Sequence, residues 1–425
     1  MPIIRRLTGL EILDSRGRPT VQATCELTSG ASGTASVPSG ASTGAAEAHE
    51  LRDGDPQRYR GMGCRQAVRH INGELNDSLA NCSFDQQHQL DRAMIELDST
   101  SNKSRLGANA LLAVSLAFSR AVAAERNQPL YQYFADLLAQ PLQTLPRPTI
   151  NLFSGGKHAG GQIPIQDVLV VPASARTMDE ALAMTFSVYQ AAAELVHNKY
   201  GMRTLTADEG GLAPAFPNAE AMLNDAVEAI QAADLVPGRD IALAVDVASS
   251  HFYRDKLYHL GTEALNGTTM IEHLLDWLGQ YPIVSVEDGL AEDDWDHWAI
   301  FRARVAGQAL VLGDDLLCTN PARIHRAIET QAADALLLKV NQIGTLTEAA
   351  EACHLARSAG WQVTISARSG ETEDNWLADL AVGWGGDQIK VGSITQSERL
   401  AKYNRLLAIE AETGLPLVDW PVPRP

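Results

Sequence analysis

The sequence is short of basic residues, of paired cysteines and of long apolar runs. Lysine and arginine total 34 against 52 aspartate and glutamate, a formal net charge of −18. That deficit, with no basic stripe, argues against a general nucleic-acid binder, although local lysines and arginines can still hold an anionic substrate. The cysteines Cys25, Cys64, Cys82, Cys318 and Cys353 are odd in number and widely spaced. They make neither a disulfide framework nor a zinc spacing, so reduced thiols in a cytoplasmic protein are expected. The opening MPIIRRLTGLEILDSRG lacks the apolar core of a signal peptide. The most apolar helical stretch, ANALLAVSLAFSRAVAA, is interrupted by Ser115, Ser119 and Arg120, which marks a packing helix and not a membrane span. Low-complexity tracts are absent.

What is present is a recurring unit between Ile241 and Lys390: a short apolar run that stops on charge. IALAV ends on Asp246, PIVSV on Glu287 and Asp288, and ALVLG on Asp314 and Asp315. ALLL ends on Lys339, VTISA on Arg368 and Ser369, and QI on Lys390. Runs this short, rich in valine, isoleucine and leucine, suit strands buried on both faces, and helix-forming segments separate them. The pattern predicts an α/β fold with parallel strands closed into a (β/α)8-type barrel, whose C-terminal strand ends share one face. Three acidic and three cationic strand ends would converge there. The alternative, that each charge is a solvated loop residue, is open for any single position and unattractive for six in register.

A chain of 425 residues exceeds one ordinary domain. The stretch 10–38 reads as strands with turns, VQATCEL alternating and TSGASG turning. PSGASTGAAEAHELRDGD is built of small residues and suits either a mobile lid or a plain connection. CRQAVRHINGELNDSL and LGANALLAVSLAFSRAVAAER have helical periodicity. We therefore expect an N-terminal α+β domain with a lid loop over residues 1–137 and a catalytic barrel over 138–425. The proline-containing segment 138–148 links them. In the barrel half, GGKHAGG sets His158 among glycines, which favours a pocket role over a core one. Asp167 lies inside a strand-like run, where an unpaired carboxylate is costly, so it faces a cavity or is paired in the core. Asp208 and Glu209 precede a glycine pair at another strand end. LTEAAEACHLARSAG and SERLAKYNRLLAIEAE read as outer helices.

Asp246, Glu287 and Asp314 would repel one another unless a cation sat between them, and oxygen ligands without cysteine favour Mg2+. Lys339 beside a dication would have its pKa lowered and serve as a general base. Taking a proton alpha to a carboxylate needs such a base and positive charge to hold the enediolate that develops. Arg368 with Ser369 offers a fork and a hydroxyl for phosphate, and Lys390 a cation for a carboxylate. Plain ion pairing of the lysines with those acids is the competing expectation. It is disfavoured if the acids share a metal.

The motifs LDSRGRPTV, VPSGASTG, ELRDGD, NKSRLGANALLAVSLA, GGKHAGG, ADEGGLAP, VDVASS, VEDGLAEDDW, GDDLLCTNPARI, ALLLKVNQIGTLTEA, RSGETED and IKVGS followed by SERLAKYN resemble enolases, in family order and almost end to end. The resemblance implies an enolase-like fold, a small α+β domain on an unusual eight-stranded barrel, assembled as a dimer or octamer. It implies that Asp246, Glu287 and Asp314 bind the tighter of two Mg2+ ions, and that Ser42 binds the second when the lid closes. Lys339 would take the C2 proton of 2-phosphoglycerate, and Glu209 would help the C3 hydroxyl leave. Lys390 would hold the carboxylate, Arg368 and Ser369 the phosphate, and His158 would ride a second mobile loop.

Several positions depart from the family pattern. The family has glutamate at Asp167, which cooperates with Glu209, and a methylene of retraction can cost roughly a hundredfold. It has histidine at Ala367, so a titratable donor is lost and a hole is expected. Gly289-Leu290 stands for Pro-Phe, Gln396 for arginine, and His251 for glutamate. Three functions follow: an enolase interconverting 2-phosphoglycerate and phosphoenolpyruvate, a diverted relative of the carboxyphosphonoenolpyruvate synthase type in phosphonate and phosphinate biosynthesis, or a non-catalytic binding protein. The partner expected in the first two is a small phosphorylated or phosphonylated carboxylic acid, with no nucleic acid and no membrane.

Overall fold

The computed structural model describes residues 1–41, 44–201 and 205–421. Its N-terminal unit begins with an antiparallel meander of β1 (Ile4–Leu13), β2 (Pro19–Leu27) and β3 (Ser32–Ser36). The helix Ala108–Glu125 lies across β2 and β3 and is buried on nearly every side, so its apolar composition serves packing as expected. Gly33 makes that approach possible: a Cβ there would stand 2.3 Å from the Ala117 carbonyl oxygen. Helical residues 65–79, with a wider turn at Ile71–Leu75, cover the same core.

Eight strands close the barrel: β4 (Arg147–Ser154), β5 (Asp167–Val171), β6 (Ala242–Asp246), and, after a small sheet of β7 (Tyr253–Arg254), β8 (Leu257–Leu260) and β9 (Glu263–Leu265), β10 (Ile283–Glu287), β11 (Leu310–Gly313), β12 (Ala335–Leu338), β13 (Gln362–Ser366) and β14 (Gln388–Gly392). The expectation of parallel strands fails at one of them. β5 runs antiparallel to both β4 and β6. The reason is local: the glycine-rich segment 155–166 between β4 and β5 carries only a short 3-10 turn, Gly156–Ala159, and no crossover helix. Without a crossover the next strand can only fold back. Reversal puts the first residue of β5, Asp167, on the rim that holds the last residue of β6.

Alternation inside the strands decides which side chains enter the barrel. Ala242, Ala244, Leu312, Ala335, Leu337 and Leu169 form small clusters of their own, whereas their neighbours Leu243, Val245, Val311, Leu336, Leu338 and Val168 join the main core with the outer helices. Continuing the inward phase by two residues brings Asp246 after Ala244, Asp314 after Leu312 and Lys339 after Leu337. The barrel is thus apolar low down and charged at its mouth.

Candidate active site

At that mouth the charges are paired directly. Lys390 Nζ lies 2.8 Å from Asp246 Oδ2 and 2.7 Å from Glu287 Oε2, and Lys339 Nζ bonds Asp314 Oδ2. All five are buried. The lysines were expected to stand apart from these acids. The correction has a physical cause: buried carboxylates require a counter-charge, which Lys339 supplies from the strand next to that of Asp314 and Lys390 supplies across the barrel mouth. With no cation between the acids, burial pulls the Lys339 pKa down most, but Asp314 and Glu287 together hold it above the ordinary lysine range. Asp246 is depressed to about 2, Lys390 overcoming the upward push of burial.

These acids nonetheless fit a hard cation. Glu287 Oε1 is buried and has no hydrogen-bond partner. Burial first, then the adjacent Asp246 charge, hold this carboxyl well above the usual range. Asp246, Glu287 and Asp314 would hold the ion, with oxygen donors only, as Mg2+ prefers. The groups that have metal-ligand spacing among the described residues are two others, His158–Asp167–Glu209 and Asp288–Asp314–Asp315. In the second, Asp288 is already engaged, accepting from Asp314 N at 2.9 Å and Asp315 N at 2.7 Å.

The first group sits across the mouth. His158 Nδ1 is 2.9 Å from Asp167 Oδ2, its Nε2 is 3.8 Å from Glu209 Oε1, and Ser154 Oγ donates to Asp167 Oδ1 at 2.6 Å. Burial would lower the His158 pKa, but Asp167 and Glu209 raise it to about 9. Glu209, which burial would raise, is drawn below the ordinary carboxylate range by His158 and Arg399. At neutral pH the proton of this group therefore rests on the His158–Asp167 pair and not on Glu209.

Arg368 is forked onto Glu47, Nη1 to Oε2 at 3.0 Å and Nη2 to Oε1 at 3.2 Å, with Asn341 Oδ1 at 3.2 Å from Nη1. Ser369 Oγ accepts from Ala41 N at 2.7 Å and from Arg16 Nη1 at 3.1 Å. Ser42, expected to bind a second ion, lies outside the described residues. Ala367 lines the shared cavity with His158, Glu209, Asp246, Lys339, Arg368 and Lys390, yet that cavity is about 20 Å³. This volume holds about one water.

The remaining departures lie around the site. His251 is half-buried with Nδ1 unpartnered, and burial pushes its pKa to about 4, so it is neutral. Gly289 packs tightly, a Cβ there meeting Phe301 at 3.0 Å, and Leu290 is fully buried. Gln396 heads the helix Ser397–Thr413, its side-chain amide nitrogen donating to the Asp208 carbonyl at 3.1 Å and Glu398 Oε1 at 2.8 Å.

Sequence reasoning missed several polar residues that position the charges. Gln166 donates to Asp246 Oδ2 at 3.0 Å, Gln342 to Asp314 Oδ1 at 2.8 Å, and Asn151 to Glu209 Oε2 at 3.0 Å. Gln166 directly precedes Asp167, the one cue available. The N-terminal unit matches the family model for the enolase N-terminal domain over residues 4–134, and the barrel matches that for the enolase C-terminal TIM barrel domain over 142–417. With both halves matched in order, this chain belongs to the enolase family.

Proposed function

We propose that the protein is a Mg2+-dependent lyase that removes the proton alpha to the carboxylate of a small phosphorylated or phosphonylated acid, interconverting 2-phosphoglycerate and phosphoenolpyruvate or a close analogue. Membership makes it an enolase-superfamily enzyme. The observation that carries the finer reading is the gathering of Lys339, Lys390 and Arg368 with Asp246, Glu287 and Asp314 at one barrel mouth. Mg2+ bound by the three acids would supply positive charge to the substrate carboxylate; two ions remain the expectation, with Ser42 serving the second. Lys339, freed from Asp314, takes the alpha proton. Lys390 supports the carboxylate, and Arg368 with Ser369 receives the phosphate. The protonated His158, oriented by Asp167, hands its proton to the departing group, with Glu209 holding the imidazole from its other side.

A second reading is a diverted enzyme of the carboxyphosphonoenolpyruvate synthase type, motivated by the departures from the family pattern at Asp167 and Ala367, both in the reacting pocket. Incubation with Mg2+ and 2-phosphoglycerate in D2O separates the readings. Exchange at C2 with product supports the enolase reaction. Exchange without product supports the diverted one, to be followed with phosphonate co-substrates. Neither exchange nor Mg2+ binding leaves a binding protein. A homo-oligomer, dimer or octamer, is part of the proposal. It is supported by Leu10 and Leu13, 58% and 53% exposed on the edge strand β1. A cytoplasmic location is supported by the unpaired thiols.

A further inference from the structure

Glu47 belongs to the segment 44–50 of the N-terminal unit, yet its carboxylate is seated inside the barrel mouth. The backbone around it is tied down on three elements. Ala45 N donates to Glu292 Oε2 at 3.1 Å, Ala48 N to the Gln342 carbonyl at 2.7 Å, and His49 N to the Asn102 carbonyl at 2.7 Å. Glu47 Oε1 also accepts from Gly44 N at 3.0 Å and Gln342 Nε2 at 3.4 Å. The Glu47 and Arg368 side chains are 8% and 3% exposed, so their pairing is shielded from water. Both terminal nitrogens of the guanidinium face the two carboxylate oxygens, the end-on fork by which arginine grips an oxyanion. The cavity that Arg368 lines, about 20 Å³, cannot admit a phosphorylated acid as it stands.

We infer that Glu47 is an internal stand-in for the substrate oxyanion on Arg368, and that it sets the charge the site will accept. This rests on the proposed reading of Arg368 as the phosphate site. A carboxylate holding the fork is displaced by an anion that pairs with guanidinium more strongly, which a phosphate dianion does and a second carboxylate does not. Glu47 sits near another acid as well: Glu292 accepts from Ala45 N of the same segment, so two carboxylates lie close together and repel. Once another anion takes Arg368, that repulsion favours withdrawal of Glu47, which opens space and charge together. A neutral or singly charged ligand meets an occupied fork. Glu47 is thus a specificity-determining residue contributed by the N-terminal unit to a site otherwise built by the barrel.

The test uses the full chain with inorganic phosphate and, separately, formate as probes, read by calorimetry and by the ligand-induced rise in Tm. Glu47→Gln should lower Tm without ligand, tighten phosphate about tenfold or more, and allow formate to bind measurably. A residue that merely buttressed Arg368 would give the opposite, weaker phosphate binding. Unchanged or weakened phosphate affinity in Glu47→Gln overturns the inference. Glu47→Asp, keeping the charge on a shorter arm, should tighten phosphate to a lesser degree and decides the matter if the amide variant folds poorly. Arg368→Gln separates the two levels. If it abolishes phosphate binding while Glu47→Gln fails to tighten it, only the role of Glu47 falls. If phosphate binds regardless of Arg368, the phosphate reading falls and the inference with it.

Discussion

Asp167 opens β5 and Asp246 closes β6, and the antiparallel register sets these two residues directly opposite one another. Their carboxylates are both buried but are neutralised separately, Asp167 by His158 at 2.9 Å and Asp246 by Lys390 at 2.8 Å. The reversed strand therefore places a proton-bearing pair beside the acid that would face a cation.

Replacing Asp167 by Asn removes the charge that keeps His158 protonated. Product formation should fall by about 10- to 100-fold while C2 exchange by Lys339 persists. The ratio of exchange to turnover in D2O measures this, and an equal loss of both would place Asp167 in the first step instead.

The same pair makes stability depend on pH in a defined direction. His158 is held at about 9 against an ordinary value of 6.5, so the folded protein keeps a proton that the unfolded chain releases. This contribution, on the order of 1–3 kcal/mol, is complete below about pH 6.5 and is lost as the pH rises through about 9. Urea midpoints across that window should decline more steeply in the wild type than in His158→Gln.

Mg2+ should raise Tm, by an amount equivalent to about 2.7 kcal/mol at a hundredfold excess over Kd. Glu287→Gln should abolish this response. The amide oxygen can still accept from Lys390 Nζ, which stays paired with Asp246, so metal-free stability should change by about 1 kcal/mol or less. Differential scanning with and without Mg2+ reads both effects.

Ala367→His, which would restore the residue usual in the family, should be destabilising by about 1–3 kcal/mol, because the cavity it lines has no room for an imidazole. A stable variant with enolase turnover above wild type would contradict this and show that the neighbouring side chains yield readily.

Beneath the site, Lys402 is fully buried and bonds Glu371 Oε2 at 2.9 Å. Lys402→Met leaves that carboxylate unpaired and should cost about 3–5 kcal/mol in chemical denaturation. Adding Glu371→Gln should recover much of the loss, the signature of an ion pair whose breaking matters more than its presence.

Much of this was legible in the chain. Short apolar runs ending on charge announced the barrel, and period-two alternation carried Asp246, Asp314 and Lys339 to its mouth because the residues two before them point inward. The family motifs run the full length. What the sequence could not express was direction and partnership. The reversal of β5 follows from a loop too irregular to form a crossover helix, and only the folded rim shows Asp167 opposite Asp246.

The amino-acid order by itself determined the architecture, the family and the set of charged residues available for chemistry, since these depend on local periodicity and on neighbouring residues. The tertiary structure alone decided how those charges neutralise one another. Glu47 reaches Arg368 across 321 positions, and Lys390 reaches Asp246 across 144. Buried charge is satisfied by whichever opposite charge packing brings near, and that proximity is a property of the closed barrel, not of any stretch of chain.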